Sequence, residues 1–148
     1  MEKSVEYQGI KVHYSVEGTG RTLLFLHGYL ESSAIWRGFA ERFTDRYRVI
    51  LLDIPGHGAS GILGPVHEME EMARVAGAVL DAEQISEVVV LGHSMGGYVA
   101  MEFVHLFPER TSGYCLFHST CFADDEEKKK NRDREISLVM CGKKMQII

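Results

Sequence analysis

Three short runs of this chain, Leu23-Leu24-Phe25-Leu26, Val49-Ile50-Leu51-Leu52 and Val88-Val89-Val90-Leu91, are apolar at every position. A strand with one wet face alternates apolar and polar residues, whereas an unbroken apolar strand has to be buried on both faces. Such strands belong in the middle of a parallel sheet covered by helices. The segments between the runs supply those helices. Ile35, Trp36, Phe39, Ala40 and Phe43 recur at helical spacing behind Ser32 or Ser33 as a cap, and Met69, Met72, Ala73, Ala76, Val79 and Leu80 mark a second apolar face. A third helix is predicted from Ser94 to Phe107, where Pro108 stops it, followed by a strand over Tyr114-Cys115-Leu116-Phe117. At the amino end, Val5-Glu6-Tyr7 and Ile10 to Val16 alternate around Gln8-Gly9, the pattern of a hairpin with one exposed face. Strand and helix thus alternate as in α/β domains with a mostly parallel sheet and helices on both faces.

The chain's 148 residues, 45% of them apolar, suffice for one core and not for two domains. Sixteen basic against 21 acidic residues give a net charge of -5, with no free cationic run, which argues against a nucleic acid partner. No segment is long and apolar enough to suggest a membrane span, so a cytoplasmic location is expected. Cys115, Cys121 and Cys141 have no metal-ligand spacing and are odd in number, which predicts reduced, at least partly buried thiols. Neither a metal nor another cofactor is implied.

Chemistry is concentrated at Gly92-His93-Ser94-Met95-Gly96-Gly97. A Gly-x-Ser-x-Gly pattern alone is weak, but here it joins a buried strand directly to an apolar helix. A turn that sharp needs small residues two before and two after the serine, which Gly92 and Gly96 supply. The serine then stands at a helix amino terminus, where unpaired N–H groups favour a developing anion.

The chain resembles the α/β-hydrolase superfamily, in its esterase and thioesterase branch. The resemblance rests on three segments in order: Leu26-His27-Gly28-Tyr29, then Asp53-Ile54-Pro55-Gly56-His57-Gly58-Ala59-Ser60, then the elbow, and it runs from Val5 to about His118. It implies Ser94 as nucleophile, the backbone N–H groups of Tyr29 and Met95 as oxyanion hole, and a small-molecule acyl substrate. A serine at this place speaks against the dehalogenase branch, which uses aspartate. Asp53 and His57 are expected to shape a loop. His27 belongs to a loop turn, and the side chain of His93 should point away from the site.

The resemblance also implies an acid and a histidine after the nucleophile, the histidine beyond the last strand. Residues 1–122 then read as the amino-terminal part of the hydrolase core and 123–148 as the start of a cap, with the two final strands, the acid and the histidine beyond Ile148. On this reading the chain is part of a longer hydrolase, cut short by a stop, a frameshift or proteolysis, and nearly inactive alone. His118, with Asp124 or Asp125 behind it, is the stand-in base to consider. The strand Tyr114 to Phe117 would be an open edge, inviting self-association. The charged segment Asp124 to Lys130 predicts a solvated helix with Glu126 and Lys130 as an i,i+4 pair, ending near Gly142. The rival from another class is a catalytically silent domain of the same fold that binds a ligand or partner. An acyltransferase or carbon–carbon lyase would differ only in the pocket.

Overall fold

A computed structural model describes residues 1–143. Its six strands, β1 (Glu2–Tyr7), β2 (Ile10–Glu17), β3 (Arg21–Leu26), β4 (Tyr47–Leu52), β5 (Val88–His93) and β6 (Thr111–Phe117), form one sheet in the order β1-β2-β4-β3-β5-β6. The hairpin β1–β2 turns on Gln8 and Gly9, both at positive φ, as tight right-twisting hairpins require. β2 pairs antiparallel with β4, while β4, β3, β5 and β6 are mutually parallel.

The unbroken apolar runs divide between two cores. Leu24, Leu26, Ile50, Leu52, Val88 and Val90 face helices α2 (Met69–Ala82) and α3 (Met95–Leu106), whose Met72, Ala76, Val79, Val99 and Phe103 complete that layer. Leu23, Phe25, Val49 and Leu51 face the opposite way, onto Trp36 and Ala40. Each run therefore fills both layers because successive side chains leave opposite sides of the strand.

Chain order places the site. From β3 the sheet grows in one direction to β4, and from β5 in the other direction to β6. The loops leaving the carboxyl ends of β3 and β5 therefore diverge, opening a crevice at the switch point of the sheet.

Several expectations need correction. The segment after β3 is not one helix but a short α1 (Arg37–Ala40) between single 3-10 turns at Ser33–Trp36 and Glu41–Phe43, and neither Ser32 nor Ser33 caps it by side chain. Ile35, counted with the apolar face, is 45% exposed, because the tighter 3-10 turn rotates it off the core-facing side. All three cysteines are exposed: Cys115 lies on the outer strand β6, Cys121 in the following loop, and Cys141 at the end of helix α4 (Glu126–Met140). In α4, Glu126 pairs with Lys129 rather than Lys130. Asp125 caps this helix by accepting from the Lys128 N–H at 2.8 Å.

Candidate active site

Ser94 sits between β5 and α3 with φ 49° and ψ -114°, a conformation that L-residues rarely adopt. Its neighbours hold it there. The Ser94 N–H donates to the Phe117 carbonyl at 3.1 Å, and its carbonyl accepts from the Gly97 N–H at 3.0 Å and from the Ser119 hydroxyl at 2.8 Å. The glycines earn their places by close approach: a Cβ on Gly92 would run into the Gly96 backbone, and one on Gly96 would lie 2.6 Å from the His27 carbonyl oxygen. Met95 opens α3, so its N–H belongs to the first turn and has no partner within the helix.

Ser94, Met95 and Tyr29 border one cavity of about 470 Å³. Met69 and Tyr98 also line it, as do Asp124, Arg132, Glu135 and Ile136 from α4 and the segment before it. Arg132 is held by the Asp124 carboxylate, and the Tyr98 hydroxyl donates to Asp124 Oδ1 at 3.5 Å. The Arg132 guanidinium, hydrogen-bonded to Asp124 and near its charge, keeps that carboxyl below the ordinary aspartate range.

The two histidines that flank the site in sequence, His27 and His93, are engaged elsewhere. His27 is fully buried; its Nε2 accepts from the Ile54 N–H at 3.0 Å, so Nδ1 carries the proton and donates to the Gly28 carbonyl at 2.8 Å. Burial also lowers its pKa, keeping the ring neutral. His93 turns to the other side of the elbow, with Nδ1 2.9 Å from Glu31 Oε2 and its ring edge-on to Trp36 at 6.2 Å. His118 follows β6 at φ 47° and is exposed. Among the described residues the Ser94 hydroxyl makes no hydrogen bond to a histidine, and neither Asp124 nor Asp125 bonds to His118, because Arg132 and the α4 cap engage them.

Asp53 shapes its loop as expected. Its carboxylate accepts from the Ser33 N–H at 2.8 Å and the Ala59 N–H at 2.9 Å. Burial alone would raise its pKa, but these bonds outweigh it and the net shift is downward. Reading the sequence missed Glu31 and Ser119. Glu31 lies three residues past Gly28, a spacing that lets a side chain reach back to a backbone N–H, whereas nothing local marks Ser119.

Comparison with known proteins agrees with this architecture. A family model described as the alpha/beta hydrolase fold matches residues 21–132. The pimeloyl-[acyl-carrier protein] methyl ester esterase of Nitrosomonas europaea is 34% identical over 112 residues, covering 75% of this chain and 42% of the relative. A 2-hydroxy-6-oxononadienedioate/2-hydroxy-6-oxononatrienedioate hydrolase of Paraburkholderia phymatum is 37% identical over 113 residues, covering 72% and 39%. Among solved structures, a thermophilic esterase from Thermogutta terrifontis superposes with a TM-score of 0.82 at 31% identity, over 94% of this chain and 53% of that one. The chain spans about half or less of the length of these relatives.

Proposed function

Because the chain belongs to the α/β-hydrolase fold family, we propose that Ser94 is the nucleophile of a serine hydrolase acting on a carboxylic ester or thioester. Its oxygen attacks the carbonyl carbon, and the resulting oxyanion accepts hydrogen bonds from the N–H groups of Met95 and Tyr29. Collapse of that intermediate expels the alcohol or thiol and leaves an acyl group on Ser94, which water then releases as the acid. The carrying observation is the strained elbow at a helix amino terminus, bordering the same cavity as Tyr29 and Met95. Met69, Tyr98 and Ile136 give that cavity apolar wall for a small acyl group.

The hydroxyl proton needs an acceptor, and residues 1–143 hold no histidine bonded to Ser94. We therefore place the acid and base of this hydrolase in the half of the fold that the matched relatives have and the described residues do not span. Without the histidine of a serine triad, turnover falls by about six powers of ten, leaving on the order of a thousandfold over water. That no histidine among the described residues is bonded to Ser94 also favours the rival reading, a binding domain without catalysis. Cytoplasmic location and self-association through the β6 edge, where Tyr114 is 53% exposed, belong to the proposal as well.

Acyl transfer tests it. Incubated with p-nitrophenyl butyrate and imidazole as an external base, the chain should accumulate a butyryl group on Ser94, read by peptide mass spectrometry and absent from Ser94→Ala. A chain that stays unacylated in excess imidazole while ester is still present contradicts the nucleophile reading.

A further inference from the structure

The two proposed donors of the oxyanion hole come from different segments, Tyr29 from the loop after β3 and Met95 from the start of α3 after β5. The β3–β5 ladder ends at the pair Leu26–Gly92, and the chains separate beyond it. Past that last rung a single atom bridges them. Glu31 Oε2 accepts from the Gly28 N–H at 2.6 Å and lies 2.9 Å from His93 Nδ1. Gly28 immediately precedes Tyr29, and His93 immediately precedes Ser94. We propose that Glu31 is a positioning residue that fixes the span of the oxyanion hole by clasping Gly28 to His93; this rests on the reading of Ser94 as nucleophile.

The chemistry of the three groups suits the task. An ionised carboxylate only accepts, so His93 carries its proton on Nδ1 in the clasp, and both partners donate to one oxygen. Glycine at position 28 makes the convergence possible, since a Cβ there would lie 2.7 Å from Glu31 Oε2 and 3.0 Å from His93 Nδ1. Glu31 and His93 are 29% and 24% exposed, sheltered enough for a charge-assisted bond to hold its geometry. Oxyanion donors work only when placed within about half an ångström of the developing charge, so a slack loop loses rate before it loses fold.

The test compares the intact chain with Glu31→Ala, Glu31→Asp and Glu31→Gln. Two quantities are read: the rate of Ser94 phosphonylation by a fluorophosphonate in imidazole, and the amide resonances of Gly28, Tyr29 and Met95. Glu31→Ala should slow Ser94 labelling about ten- to a hundredfold and move all three amides. In Glu31→Gln, whose amide oxygen accepts both bonds, rate and resonances should return close to the original. Glu31→Asp, too short to reach both partners, should behave like Glu31→Ala and replaces it if the alanine variant does not fold. Unchanged labelling and unmoved Tyr29 and Met95 amides in the alanine or aspartate variant overturn the clasp and leave the nucleophile standing. If the original chain is not labelled, the nucleophile reading fails, and the resonances alone decide: displacement reversed by glutamine upholds the clasp, and no displacement refutes it.

Discussion

The hydroxyl of Ser119 donates to the carbonyl oxygen of Ser94 at 2.8 Å, just beyond the end of β6. With the Ser94 N–H bonded to Phe117, the backbone groups of the strained residue are tied to the last residue of β6 and to the segment just after it. Gly97 leaves room for this contact, because a Cβ there would overlap the Ser119 side chain. Ser119→Ala removes one bond and leaves the carbonyl to the Gly97 N–H. A loss of about 1 kcal/mol is expected, visible as a lower urea midpoint with an unchanged slope.

Two glycine-to-alanine changes should move stability in opposite directions. Gly96 packs against the Leu26 and His27 carbonyl oxygens, so a methyl group there forces α3 off the end of β3, at about 3 kcal/mol. Gly38, in α1, has nothing within 4 Å of its added Cβ. Its alanine variant should gain about 0.5–1 kcal/mol by restricting the unfolded chain. Urea titration of both variants checks the contrast.

Glu83 joins β1, β2 and β4 to the end of α2. Its carboxylate, 5% exposed, accepts from Lys3 Nζ at 2.9 Å and the Tyr14 hydroxyl at 2.8 Å and pairs with Arg48. Burial would raise its pKa, but the Lys3 and Tyr14 bonds and the nearby cations carry it below the ordinary value of 4.5. The folded state thus binds this proton less readily than the unfolded chain. Stability from this group is fully present above pH 4.5 and is lost as pH falls through the lower folded value. Glu83→Gln should cost about 2 kcal/mol at neutral pH, the gap narrowing below that point. Burial and the Glu83 bond push Tyr14 the other way, up to about 12, so stability should also fall as pH rises from 10 towards 12. Denaturant midpoints across both ranges, in wild type and Glu83→Gln, read these slopes.

Helix α4 hangs over the cavity by the Asp124–Arg132 pair and the contact of Glu135 and Ile136 with the pocket. Exposed pairs contribute at most about 1 kcal/mol. Arg132→Ala should therefore leave the core's thermal midpoint within a few degrees while raising amide exchange across residues 126–140 several-fold. Unchanged exchange there would mean that the pair does not hold the helix.

The strands were legible because burial on both faces leaves an unmistakable mark: Leu23 to Leu26 can be apolar throughout only between two layers. Helix α2 was legible from its repeating face, and the elbow from Gly92, Ser94 and Gly96 following such a strand. Irregular structure hid the rest. Ile35 sits at helical spacing, yet a 3-10 turn has a different period and turns it outward. Cys115 lies in an apolar strand but on the sheet's outer edge, where composition does not tell covered from bare. Glu31 and Ser119 contact residues 62 and 25 positions away in sequence, His93 and Ser94 respectively; the step from Glu31 back to Gly28 is local, but no local pattern encodes the two long-range pairings.

On the proposed reading Ser94 is a nucleophile at an oxyanion hole, with neither its base nor its acid in place among the described residues. The most direct measurement is the rate and site of fluorophosphonate labelling of this chain, followed by peptide mass spectrometry across an imidazole titration. The expected result is a slow adduct confined to Ser94, accelerated by imidazole, abolished in Ser94→Ala and unaffected by His118→Ala. Absence of a Ser94 adduct at every imidazole concentration would contradict the nucleophile, and fast labelling abolished by His118→Ala would contradict the missing base.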